Sequence, residues 1–208
     1  VDVHDEAAVL RAIAANCHLR RDVETVRGPL DILDHAAPRL AAGTKIGFDA
    51  TRRWPGEEAA GVGMDPVARP ASPEAVAARL DGLAGAAGIV RTAVPADGLG
   101  RLVVVATDAA DRAAVETSLA AVRERLSGEP GAGDLVIAVG PDVDVDDWET
   151  VLFHLTANAD PGRDAIRDPR VAGETGLAFD ATPKRPGPGV DGEPVRDFPP
   201  ILAMDEEV

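Results

Sequence analysis

The chain has 208 residues, of which 45 % are hydrophobic and only 3 % aromatic, with no Tyr, and a formal net charge of -15. A chain of this length buries roughly 70 % or more of its unfolded surface, enough for one ample core or two small ones, and a mean hydropathy near zero argues against wholesale disorder. The negative charge repels phosphate backbones and anionic lipid, so nucleic acid and membrane surfaces are poor partners, and no apolar run approaches the roughly 18 residues a spanning helix needs. Asp5 stands where an N-cap belongs, and Val9, Leu10 and Ile13 form one apolar stripe, which predicts an amphipathic helix. A Gly- and Pro-punctuated loop, RGPLDILDHAAP from Arg27 to Pro38, leads to a strand, GTKIGFDAT from Gly43 to Thr51. Residues 55 to 73 read as loop, after which Ser72, Pro73 and Glu74 open a helix running through Val76, Leu80 and Leu83 towards Gly88. Leu102 to Ala106 and Leu135 to Val139 read as strands buried on both faces. Asp108 to Leu126 is helical between them, and Asp147 caps a further helix. This order predicts right-handed parallel crossovers. Residues 183 to 200 are rich in Pro and Gly and read as a surface strap, and Met204 to Val208 resemble the acidic first turn of a helix.

The sequence repeats itself. Val1, Asp2, Val3, Asp5, Val9, Leu10, Ala15, Asn16, Arg21 and Asp22 recur in register as Val143, Asp144, Val145, Asp147, Val151, Leu152, Ala157, Asn158, Arg163 and Asp164. Phe48, Asp49, Ala50 and Thr51 return as Phe179, Asp180, Ala181 and Thr182. The expected fold is therefore α/β, two related small units of mixed or parallel sheet flanked by helices. Residues 1–90 form copy one, truncated at its amino end because its twin has a strand before the helix. Residues 98–208 form copy two with its Pro/Gly-rich tail.

Motifs for metal and acyl-transfer chemistry are absent: there is no Walker loop, CxxC, HExxH or GxSxG. Asp142, Asp144, Asp146 and Asp147 superficially resemble a calcium loop, but the following Gly and the distal Glu are missing, so a strand-end turn with helix capping is expected. Lone Cys17 permits no internal disulfide, which makes a reducing cytosol the default compartment, and Val1 to Asp5 form no basic leader. His4, His18 and His154 read as packed or surface imidazoles. Asp31, Asp34 and His35 crowd into one loop, either as an acid–base pair or as groups that hold the loop together. Lys45 and Lys184 are the only lysines. Lys45 suits a phosphate or a buried carboxylate, or a plain salt bridge to Asp49.

VDVHDEAAVLRAIA, RRDVETVRGPLDILDHAAP and GTKIGFDATRRWPGEE resemble the carboxyl-terminal region of UbiD-type decarboxylases. Residues 1 to 58 carry the resemblance most fully. The family pattern includes a Pro-Leu-Asp loop and a Lys-x-Gly-x-Asp-Ala-Thr-x-x-Trp-Pro block, which places Asp31, Asp34, His35, Asp49 and Trp54 among its motif residues and Lys45 as a candidate cofactor contact. The resemblance implies an enzyme that binds prenylated FMN with manganese and potassium and removes carbon dioxide from an aromatic or unsaturated acid, as in ubiquinone or menaquinone biosynthesis. It implies that the reactive Glu-Arg-Glu set and the metal ligands belong to a preceding flavin-binding middle domain, so no catalytic residue carries over. It also implies homo-oligomerisation, with this segment serving domain closure and oligomer contacts. In copy two Lys45 is replaced by Gly176, the Pro-Leu-Asp loop is shortened and the Trp54-Pro55 pair is lost, so copy two reads as a degenerate duplicate. The competing expectation is a non-catalytic interaction or scaffold module derived from the family.

Overall fold

A computed structural model describes residues 1–54, 67–70, 72–169, 175–190 and 192–197. The acidic turn expected at Met204 to Val208, and most of the loop expected over 55 to 73, lie outside them. Helix α1 (Glu6–Asn16) starts at Asp5, whose carboxylate accepts from the Ala8 N–H. It leads into strands β1 (Val23–Pro29) and β2 (Ala42–Phe48), an antiparallel pair with Val23 opposite Phe48. Helix α2 (Pro73–Leu80) has Ser72 as its cap and ends eight residues before Gly88. Strand β3 (Ile89–Ala93) and a 3-10 turn (Ala96–Gly98) fill the space before strand β4 (Leu102–Thr107).

The remaining elements are helix α3 (Arg112–Arg125), strand β5 (Leu135–Val139), helix α4 (Trp148–Asn158), the single turn α5 (Pro161–Asp164), and strands β6 (Ala165–Pro169) and β7 (Thr175–Ala181). They build a five-stranded mixed sheet in the order β3-β4-β5-β7-β6, in which β4, β5 and β7 are parallel and β3 and β6 run antiparallel at the edges. The apolar runs of β4 and β5 are continuous because both faces are covered. Val103, Val105, Val136 and Ala138 pack against α2 and α3 on one side, while Leu102, Val104, Ala106, Ile137 and Val139 pack against Leu10 of α1 and Val151 of α4 on the other.

Cys17, Leu19 and Val23 join Leu177 and Phe179 in a third cluster, which fastens the β1–β2 hairpin to the large sheet. Arg101 strengthens the same junction. It is 4 % exposed, grips Asp134 through Nε and Nη2, and donates from Nη1 to the carbonyls of Ala14 and Cys17 at the open end of α1.

The described part of the Pro- and Gly-rich strap expected over 183 to 200 is partly extended chain that pairs with itself. Strands β8 (Gly187–Val190) and β9 (Glu193–Val195) form a hairpin. Its hold is ionic rather than apolar, which is why periodicity missed it. Arg27 and Arg39 both pair with the Glu193 carboxylate, and Arg196 donates to the carbonyls of Asp34 and Ala37.

Candidate functional site

Each of the two helix–hairpin units carries a polar knot at its strand end. In the first, Asp22 accepts from the His18 N–H at 2.9 Å, from Arg21 Nε at 2.8 Å and from Arg53 Nη2 at 2.5 Å. Burial works against the charge of this carboxylate, but the Arg21 and Arg53 guanidiniums overcome it and hold the group well below the usual carboxylate range. In the second knot Asp164 accepts from the Asp160 N–H at 2.8 Å and from Arg163 Nε and Nη2 at 3.1 and 2.7 Å. Burial pushes this carboxyl up, opposed by Arg163 and by the Lys184 ammonium 3.6 Å away.

The strand ends match as well. Asp49 accepts from the Thr51 N–H at 2.9 Å and the Thr51 hydroxyl at 2.6 Å, and Asp180 accepts from the same two groups of Thr182 at 3.1 and 2.6 Å. Asn16 Nδ2 donates to the Ala50 carbonyl at 3.0 Å, and Asn158 Nδ2 to the Ala181 carbonyl at 2.9 Å. Lys184, which the sequence reasoning left unassigned, stands five residues after Phe179 as Arg53 stands five after Phe48. That shared spacing was the available signal for both cations.

The surroundings differ. The second knot is closed over, with the Asp180 and Lys184 side chains each 7 % exposed. In the first, the Asp22 side chain is 4 % exposed but those of Arg21 and Arg53 are each 30 % exposed, and the Asp49 to Arg52 strand end lies on the wall of a groove of about 810 Å³ between α1 and the end of β2, lined also by Val1, Val3, Val9, Ile13 and Phe48. The Thr51 hydrogen bonds keep the Asp49 carboxyl below its ordinary range. Cys17, wholly buried behind α1, has its thiol pushed up to about 11 by burial.

Of the candidate site residues Asp31, Asp34, His35, Lys45, Asp49 and Trp54, only Asp49 lines this groove. Asp31 caps the Leu33 N–H and Asp34 the Ala37 N–H, so both carboxylates hold the Pro-Leu-Asp loop in shape while His35 is exposed. Lys45 is exposed on β2 opposite Val26, and among the described residues no carboxylate lies in ion-pair range of it. Trp54 is 77 % exposed. Asp144 and Asp147 cap the turn and helix start they were read as, and Asp144 and Asp146 pair with Arg91.

Among the described residues no three His, Cys, Asp or Glu side chains converge, so this part of the protein does not fit a divalent-metal centre. Among the described residues, neither this groove nor the small cavity lined by Leu10, Leu19 and Arg101 brings together the cations and backbone donors that a flavin phosphate requires. The groove mixes the apolar side chains with the polar ones of Arg11, Asn16, Asp49, Thr51 and Arg52.

Three solved chains share limited structural similarity. The evolved dimeric form of the UbiD-class enzyme HmfF from Pelotomaculum thermopropionicum, in complex with prFMN, is 18 % identical with a TM-score of 0.41, covering 53 % of this chain and 24 % of that one. The Sedimentibacter hydroxybenzoicus vanillic acid decarboxylase in open form is 23 % identical with a TM-score of 0.43, covering 63 % and 29 %. Its closed form gives 23 % and 0.40, covering 58 % and 26 %. The chain thus spans about a quarter of the length of the solved chains it matches. No helix among the described residues is long and apolar enough to cross a membrane. The family model for the 3-octaprenyl-4-hydroxybenzoate carboxy-lyase C-terminal domain matches residues 1–50 and 73–184, covering both helix–hairpin units, and the chain belongs to that family.

Proposed function

We propose that this chain is the carboxyl-terminal portion of a cytoplasmic UbiD-like carboxy-lyase that removes carbon dioxide from an aromatic or unsaturated acid in quinone biosynthesis. The observation that carries the reading is the family match on both sides of the 51–72 interval. Prenylated FMN, manganese and potassium belong, on this reading, to the flavin-binding middle domain that the family resemblance implies. The role of this segment is to close over that domain and to contact other subunits of a homo-oligomer.

The same reading makes the two helix–hairpin units copies of one structure, the first lacking the strand that β5 supplies to the second. The matched bonds of Asn16 with Asn158, Asp22 with Asp164 and Asp49 with Asp180 support it. Lys45 remains the cofactor contact proposed for this chain, its ammonium being exposed for a phosphate brought by the middle domain.

The test is carbon dioxide release by the complete polypeptide, reconstituted with prenylated FMN, from a panel of aromatic and α,β-unsaturated acids. Turnover is expected there and not in the isolated 208-residue chain. Turnover by the isolated chain, or none from either substrate class, overturns the proposal.

A further inference from the structure

The β8–β9 strap follows the second unit in sequence but reaches the first. On one side it is anchored in the second knot, where Arg163 donates from Nη1 to the Pro194 carbonyl at 3.0 Å. On the other side Glu193 and Arg196, before and after Pro194, meet the first hairpin. Glu193 accepts from Arg27, near the end of β1, and from Arg39 Nη1 at 2.9 Å, shortly before β2. One carboxylate, 7 % exposed, thus spans the two ends of the Pro-Leu-Asp loop. Arg196 takes the middle of that loop, donating from Nη2 to the Asp34 carbonyl at 2.6 Å and from Nε to the Ala37 carbonyl at 2.7 Å.

The loop's internal bonds are short-range. Asp31 caps the Leu33 N–H at 2.8 Å and Asp34 the Ala37 N–H at 3.0 Å, which shapes two turns without fixing where they sit on the molecule. Leu30 and Pro38 seat the base, crossing Gly43 so closely that a Cβ there would lie 2.7 and 3.1 Å from them. Between those points apolar packing supplies little hold. Ile32 and Leu33 are exposed, and the buried Ala36 and Ala37 belong to none of the three apolar clusters of the core. The bonds from Arg196 are what tie this stretch to the rest of the chain.

We propose that β9 is a latch through which the second unit sets the conformation of the first unit's Pro-Leu-Asp loop, with Glu193 clamping the ends of the loop and Arg196 its middle. The second unit is then a support for the first and not packing alone. The latch is firm at one end and releasable at the other. Arg163, 1 % exposed, is fixed by the Asp164 carboxylate and the Asn158 carbonyl as well as by Pro194. Arg27 and Arg39 are more than half exposed, so water can replace the Glu193 carboxylate at small cost, and the latch opens at the hairpin rather than at the knot. Nothing in this depends on the decarboxylase reading, so an inactive enzyme leaves the latch standing.

Amide hydrogen exchange of the complete polypeptide, followed by mass spectrometry, tests it with Glu193→Gln and Arg196→Ala. In each variant the segment 30–42 is expected to exchange about tenfold faster than in the parent, while β4 and β5 exchange at the parent's rate. Unchanged β4 and β5 also report that the variant is folded. Arg185→Ala removes an exposed cation from the same strap and is expected to leave every segment as it was. Parental exchange of 30–42 in both variants overturns the proposal. So does equal acceleration of 30–42 and of β4 and β5, because the strap then supports the fold at large, and so does a matching effect of Arg185→Ala, which assigns the change to net charge. Should Glu193→Gln fail to fold, Arg196→Ala alone decides, since it leaves the Glu193 carboxylate with both of its guanidiniums.

Discussion

The helix–hairpin unit around α1 and the one around α4 use the same hydrogen bonds under different cover. Asn16 and Asn158 hold equivalent strand-end carbonyls, and Asp22 and Asp164 take equivalent guanidiniums. Yet Ala50 is half-buried where Ala181 is wholly buried, and the Arg21 side chain is 30 % exposed where Arg163 is 1 % exposed. The pair separates local specification from its energetic consequence. Short-range sequence signals set the turn, the cap and the side-chain partner. The layer packed on top determines how much each of those bonds matters, because water replaces a lost partner only where it reaches.

The largest expected difference lies in the two arginines. Arg163→Ala leaves the buried Asp164 carboxylate with Lys184 and the Asp160 N–H, and should cost about 3 to 5 kcal/mol of unfolding free energy, the usual range for breaking a buried pair. Arg21→Ala leaves Asp22, whose own side chain is 4 % exposed, with Arg53 and the His18 N–H, and because the lost partner is itself 30 % exposed it should cost less, about 1 to 2 kcal/mol. Urea unfolding of the two variants measures this directly, and equal losses would mean that cover does not govern these knots. The asparagines give a smaller contrast. Asn158→Ala leaves a buried carbonyl unpaired at about 1 to 3 kcal/mol, while at Asn16→Ala water substitutes and the loss stays under about 1 kcal/mol.

Acid separates the knots by sign. The folded-state value of Asp22 lies below that of the unfolded chain, so its contribution is fully present above the ordinary carboxylate range, near pH 4, and is lost as pH falls through the folded value. The folded-state value of Asp164 is raised, so its ionisation disfavours the fold as pH rises through that window, and acidification relieves the cost. Between pH 5 and pH 3 the unfolding free energy of Asp22→Asn should therefore fall less steeply than that of the parent chain. Parallel curves would show that Asp22 is not held ionised.

Much of the fold was legible because the signals were short-range. Asp5, Ser72 and Asp147 cap the helices they announce, and the unbroken apolar runs of β4 and β5 are strands covered on both faces. The β8–β9 hairpin was not legible, since what holds it is a Glu193 carboxylate meeting Arg27 and Arg39 from more than 150 residues away in sequence. The polar knots were half legible. The repeat pointed to Asp22 and Asp164, but the cations that complete them, Arg53 and Lys184, lie beyond the conserved-looking FDAT block and differ in kind. The attention given to Asp34 and His35 followed from their crowding in a loop, and there the structure uses Asp34 as a turn cap.

The smallest expected effect on the fold, and the one that bears most on function, is at Lys45. Its ammonium is exposed on β2 and meets no carboxylate among the described residues, so Lys45→Ala should change the unfolding free energy by under about 0.5 kcal/mol. Gly176, at the matching place in β7, is buried, so a methyl added there perturbs packing and makes a poor control. The better control is charge retention by Lys45→Arg. In the complete enzyme a lysine that meets a cofactor phosphate contributes a charge-assisted contact of about 1.5 to 3 kcal/mol, which corresponds to a tenfold or greater loss of turnover in Lys45→Ala. Lys45→Arg should recover part of it, because a guanidinium keeps the charge while changing the reach. Kinetics and melting of both variants decide the matter. Unchanged turnover with unchanged stability would leave Lys45 as a solvent-facing residue of the hairpin.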